Sequence, residues 1–282
     1  MLMLANESEL RAIYERAAEQ VRLAADGPKA AFVGVVGPAT PKPSGDENPG
    51  WALVGERSAL VSVCGPMCKD VDRIAEILGI SYTSLVKFEQ AMSEAAAAVG
   101  PGGEIVLDID SPGGSVRGEA DFLEVVRDVR NCGIRVIAYA HDLCGSAAYL
   151  LACQCEKIAC GPQARVGSIG TVVAIKDTSK AMEQMGVSVK VVSSGGVKGM
   201  GTDGAPVTEP HLEAVQKSVN DITAWFVAEV AAGRGMTVEA VSALATGELW
   251  LGEDAVRLGL CDRVIGFREL LRAMAEPAGS KR

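Results

Sequence analysis

The sequence predicts an α/β fold built around a largely parallel sheet, and three observations predict it. Short apolar runs alternate with helix-like tracts from residue 59 onward. Two of those runs end in turns of small residues, SPGG at 111–114 and CGSAA at 144–148, each leading into a helical pattern. Hydrophobic residues make up 48% of 282, enough to bury a large core without disulfide or metal staples. In such folds the loops at the carboxyl ends of the strands hold ligands.

Taken in order, residues 7–25 (ESELRAIYERAAEQVRLAA) carry apolar side chains at helical spacing between charges, which suits a surface or partner-facing helix. A short strand, AAFVGVVG, then leads into the Pro-, Gly- and polar-rich stretch 38–51, which reads as a linker. Two parts are therefore expected: an appendage over 1–51 and a main domain over 52–282. In the second, strands are predicted at ALVSVC, EIVLDI, RVIAYA, KIAC, TVVAI and VSVKVV. Helices are predicted within 69–98, within 115–131 and from Ser146. Near the end, Leu212, Val215, Val219, Ile222, Phe226 and Val230 recur every three or four residues, as on a core-facing helix whose start suits Thr208 and Pro210. No repeat of 20–50 residues is visible.

With 27 basic against 36 acidic residues, the net charge of −9 disfavours nucleic acid and anionic membrane surfaces as partners. No run reaches the roughly 18 to 20 apolar residues of a membrane span, and the opening MLMLA is too short for a signal peptide, so a cytoplasmic protein is expected. Eight cysteines raise the question of zinc. They form no C-x-x-C pair, and only His141 and His211 could add imidazole, so free reduced thiols are expected and no metal.

Three loops could carry chemistry. In DIDSPGGSV (108–116) the glycines can turn backbone amides outward, as an oxyanion hole requires, although an ordinary strand-to-helix turn reads the same. In HDLCGSAAYLLA (141–152), Ser146 stands at a helix start, where free amides and the positive dipole end favour an attacking oxygen; the competing reading is a helix cap. A serine nucleophile needs a base. His141, only five residues upstream, and His211, in a helix first turn, both suit structural roles better, and Cys144 as nucleophile meets the same shortage of histidine. The third loop, VVSSGGVKGMGTDG (191–204), offers Lys198; its amine could act as a base only in an apolar, closely packed site. GMGTDG within it matches G-x-G-x-x-G but precedes Ala-Pro, so it is no dinucleotide site.

In series, DIDSPGGSV, CGSAAYLLA, ARVGSIGTVVA, SSGGVKGMG and GELWLGEDAVRLGLCDRV, spread over about residues 58–272, resemble the signal peptide peptidase A family of Ser-Lys serine peptidases. The resemblance implies a Clp/crotonase-like fold of repeated ββα units. It also implies Ser146 as nucleophile and Lys198, 52 residues on, as general base. By the same resemblance the Gly113 and Ala147 amides form the oxyanion hole, Ser168 holds the lysine amine, and Gly114, Gly167 and Ile169 line the substrate. Two positions depart from the family pattern: Val197, where an aromatic or histidine is common, and Gly145, where alanine is common.

Within the family, the absence of an anchor resembles phage head maturation proteases of the capsid protein C type. That implies a polypeptide substrate, phage scaffold, portal and capsid proteins as partners, no cofactor, and a homo-oligomer whose sites are shared between subunits in the host cytoplasm or prohead. A soluble bacterial signal-peptide-peptidase-like protease, a crotonase-like acyl-CoA enzyme and an inactive assembly subunit are the competing readings.

Overall fold

A computed structural model describes residues 50–70 and 81–275. The helix predicted over 7–25 and the strand AAFVGVVG lie outside the described residues, as do 38–49 of the linker. The central sheet opens with β1 (Trp51–Leu53), antiparallel to β2 (Ser58–Cys64). A small parallel pair, β3 (Met67–Cys68) and β4 (Thr83–Ser84), precedes helix α1 (Leu85–Val99), whose first turn is capped by the Ser84 hydroxyl accepting from Lys87 N. Then come β5 (Glu104–Ser111), α2 (Glu119–Asn131), β6 (Arg135–Gly145), α3 (Ala147–Ala152), β7 (Lys157–Cys160) and β8 (Arg165–Gly167). After α4 (Ser179–Gln184) and the long α5 (Glu209–Arg234) follow α6 (Val238–Leu244), β9 (Leu249–Leu251), α7 (Gly252–Arg257), β10 (Arg263–Val264) and α8 (Phe267–Ala275).

Strand order is β1-β2-β5-β6-β7-β10, parallel throughout except for β1, so the expected mixed α/β fold with a mostly parallel sheet is present. Parallel strands covered on both faces lose polar alternation, and β5 accordingly buries Glu104, Ile105, Val106, Leu107 and Ile109. One face packs Val61, Ile105, Leu107, Val136 and Ala138 with Met92, Phe122 and Leu150 of α1, α2 and α3. The other packs Val106, Tyr139 and Ala159 with Leu270 and Met274 of α8. At its far end β6 exchanges β7 for β8, which pairs antiparallel with β9. Every residue of α3 is buried, and α5 approaches its end so closely that a Cβ on Gly233 would stand 2.1 Å from Cys153 O.

Two expectations fail. TVVAI and VSVKVV form no strands, and from 171 to 207 only Gly204 is buried. The stripe on α5 is core-facing only toward its end: Phe226 and Val230 are buried, whereas Leu212 is 42% exposed. Both segments have the apolar pattern of packed elements, but among the described residues they are left largely exposed. His211 keeps a structural role, its Nδ1 accepting from the Thr208 backbone N–H in a capping box.

Candidate active site

The turn after β6 presents Ser146. Its backbone takes φ 53°, ψ −126°, outside the common regions for an L-residue, and its side chain makes no capping hydrogen bond although it occupies the N-cap position. The hydroxyl of a capping serine would be spent on the first helical amides; here it remains available. Burial of α3 and the bond from Ser146 N to Gly167 O, 2.8 Å, hold the strained backbone in place. Cys144, two residues earlier, is fully buried, and burial pushes its thiol well above the ordinary cysteine range, which removes it as a nucleophile.

The loop after β5 lies directly against this turn. A Cβ on Gly113 (φ +97°) would fall 2.7 Å from Ser146 Cβ and 2.8 Å from Ala147 N. The Ser111 hydroxyl pins the loop, donating to Gly65 O (2.6 Å) and accepting from Gly113 N (3.1 Å). That bond engages the Gly113 N–H, expected in the oxyanion hole, with Ser111. Gly114, which sits in a parallel bridge with Met67, has an N–H with no acceptor among the described residues and is exposed. The Ala147 N–H, in the first turn of α3, is likewise without an acceptor there.

The third wall is the end of β8. Gly167 pairs with Gly145, and Ser168 takes φ 51° while its N–H donates to Glu248 O at 2.6 Å. A Cβ on Gly145 would meet Ser168 Cβ at 3.5 Å, so the departure from alanine there leaves ordinary room and distorts nothing. Trp250 closes over Gly167, where a Cβ would strike its ring at 2.6 Å. Ile169 is fully buried in the core, so its side chain cannot line a substrate as expected. Lys198 lies exposed in successive turns, its N–H donating to Gly195 O, and its amine makes no hydrogen bond to Ser146 or Ser168 among the described residues. The contacts shown bring together Ser146, Ala147, Gly113, Gly145, Gly167 and Ser168.

No described helix is long and apolar enough to cross a membrane, and among the described residues no cluster of three His, Cys, Asp or Glu is placed to hold a metal ion. All eight cysteines are free thiols.

Comparison with known proteins matches the family model "Peptidase family S49" to residues 128–281, more than half of the chain. A protein of Synechocystis sp. named as a protease is 31% identical over 173 residues, 61% of this chain and 61% of its own length. Capsid assembly protease C of Escherichia phage lambda is 28% identical over 178 residues, 63% of this chain and 40% of its own. Head-tail preconnector protein GP5 of Enterobacteria phage P21 is 26% identical over 224 residues, 79% of this chain and 43% of its own. The chain thus matches between about two fifths and three fifths of these relatives' lengths. With that match spanning β6 through α8, and the turn that carries Ser146, β8 and the loop that carries Lys198 all inside it, the chain belongs to peptidase family S49.

Proposed function

We propose that this chain is a serine endopeptidase in which Ser146 attacks and Lys198 acts as general base. The observation that carries the reading is a serine held at φ 53°, relieved of its capping bond, packed against the glycine loop at Gly113 and followed by the unengaged amide of Ala147. In the first step a neutral Lys198 amine takes the Ser146 hydroxyl proton as Oγ bonds to the scissile carbonyl carbon. The oxyanion so formed accepts from the N–H groups of Gly114 and Ala147. The ammonium then protonates the departing amine, leaving an acyl-Ser146 ester, and water deprotonated by Lys198 releases the acid. Ser168, beside Gly145, is assigned to hold the lysine amine, and no cofactor enters the scheme.

Lys198 reaches this site in an oligomer, from a neighbouring copy. Supporting this, 171–207 exposes the apolar side chains of Val172 (81%) and Val192 (98%) together with Val173, Val187 and Met185, the kind of side chain that a partner surface covers. Packing it on a second chain would also remove water around Lys198, the condition a neutral amine needs. Residues 52–282 form the peptidase unit. The relatives from phages lambda and P21 favour capsid, scaffold and portal proteins as substrates and partners, in a host cytoplasm or prohead. A relative from Enterococcus faecium named as a putative signal peptide peptidase keeps a bacterial role as the second reading.

A fluorophosphonate probe and a quenched peptide test this. Wild-type protein is expected to gain one adduct on Ser146; Ser146→Ala and Lys198→Ala are each expected to lose cleavage. Mixing the two variants should restore part of it if the dyad is shared. Wild-type-like turnover in either variant alone sinks the dyad. Cleavage of a co-expressed capsid scaffold separates the phage role from the bacterial one.

A further inference from the structure

Strands β5 and β6 run in register from Glu104↔Arg135 to Ile109↔Ala140 and resume at Ser111↔Cys144. Between those pairs β5 supplies one residue, Asp110, and β6 supplies three: His141, Asp142 and Leu143. Such a bulge re-aims the strand that carries it. Here it lies where β6 changes neighbours and ends three residues before Ser146. Its first residue is tied to β5 by a carboxylate, His141 Nδ1 standing 2.9 Å from Asp108 Oδ1, and the Leu143 backbone at its other end faces the Asp110 carboxylate.

We infer that His141 and Asp108 are positioning residues for the nucleophile, their hydrogen bond fixing the bulge of β6 from which Ser146 rises against the glycine loop of β5. The inference rests on the reading of Ser146 as nucleophile. His141 also lies tilted against Phe267 of α8, ring centroids 4.5 Å apart, and meets Tyr139 edge-on at 5.7 Å, so its ring is contacted by two aromatic rings as well as by Asp108. Around it stand Asp108 and Asp110 from β5, Asp142 from its own strand and Cys64 from β2, which feels the same two β5 carboxylates. The hydrogen bond to Asp108, followed by the fields of Asp108, Asp142 and Asp110, outweighs burial and holds the imidazole proton above the ordinary histidine range. A group raised in the folded state stabilises it fully at low pH and loses that contribution as pH rises through its folded pKa. Loss of the proton leaves three carboxylates facing one another across the bulge, although the neutral ring can still donate from Nδ1.

The test is the rate at which a fluorophosphonate labels Ser146 in the full chain, between about pH 5 and 9. His141→Ala is expected to slow labelling about 10- to 100-fold, as misplacement of a reacting group by a fraction of an ångström does. His141→Asn, whose amide reproduces the Nδ1 donor, should recover most of that rate. The ratio of wild-type to His141→Asn rates should fall toward one as pH rises, because the dependence on Lys198 cancels between them. Asp108→Asn provides the same reading should His141→Ala not fold. Wild-type labelling rates in His141→Ala overturn the inference, as does an Asn variant as slow as Ala with a pH-independent ratio, the mark of lost packing alone. A wild-type protein that is not labelled at all refutes the nucleophile itself, and needs no variant to show it.

Discussion

Placing a methyl group at Gly113 and at Gly145 perturbs the two sides of one contact in opposite senses. At Gly113 the backbone lies at φ +97°, costing an L-residue roughly 1–2 kcal/mol, and the new Cβ would sit 2.7 Å from Gly145 O, 2.7 Å from Ser146 Cβ and 2.8 Å from Ala147 N. Two of those atoms are backbone, so relief comes only by separating the glycine loop from the nucleophile turn, by about 0.5–1 Å. A shift of that size costs about 100-fold in rate, and strain with overpacking about 2–3 kcal/mol in stability. At Gly145 the methyl meets only Pro112 O, Ser168 Cβ and Leu249 Cδ2 at 3.5–3.6 Å, ordinary contacts. Gly145→Ala should keep its activity and gain about 0.4–1 kcal/mol by restricting the unfolded chain. The assay pairs Ser146 labelling rates with urea unfolding for both variants. Equal damage from the two substitutions, or wild-type labelling in Gly113→Ala, would refute the steric reasoning.

Glu119, at the start of α2, is 5% exposed, and burial raises its carboxyl to about 7. The folded state therefore binds more protons than the unfolded one above the ordinary carboxylate range. Stability should fall by up to about 3 kcal/mol as pH rises from about 4.5 to about 7, and Glu119→Gln should flatten that slope in urea titrations. Asp262 behaves oppositely: burial would raise its carboxyl, but the Ile158 N–H and the Arg234 guanidinium outweigh it and hold it low. Its contribution is present above the unfolded carboxylate range and disappears as pH falls through its folded value. Asp262→Ala, which strands an Arg234 side chain only 8% exposed, should cost about 2–3 kcal/mol; thermal melts near neutral pH that match wild type would contradict this.

Much of the serine half of the site was legible because it is written locally. An apolar run, a turn of small residues and a helix start place Ser146 and the 111–114 loop at one rim, and the sheet puts them there. Which amide is free was not legible: Gly113 and Gly114 look alike in sequence, and the Ser111 hydroxyl, two residues back, decides between them. The burial of Ile169 is not legible either, because a small-residue motif does not say which of its side chains turns into the core. The partner of His141, Asp108, is not legible in sequence. The signal was the spacing DID against HD on adjacent parallel strands, meaningful only once their register is known. For 171–207, hydrophobic pattern says that a surface will be covered but not by what.

That last segment sets the two halves of the proposed dyad on different physical footings. Ser146 is positioned by residues of its own chain, with α3 buried throughout and the glycine loop pinned by Ser111, so its geometry is independent of concentration. Lys198 sits in a segment whose valines are exposed among the described residues, so a second surface that covered them would also fix the lysine. If that surface is a second copy, assembly and catalysis share one equilibrium, and dilution removes the base while leaving the nucleophile folded. Specific activity should therefore fall on dilution, with a midpoint matching the dissociation followed by sedimentation, while the melting of the main domain stays in place. Val192→Asp should move both midpoints to higher concentration together, since a charge on a residue 98% exposed harms nothing in the lone chain but must be desolvated in a packed interface. Specific activity that stays constant through dissociation would place the base within the same chain.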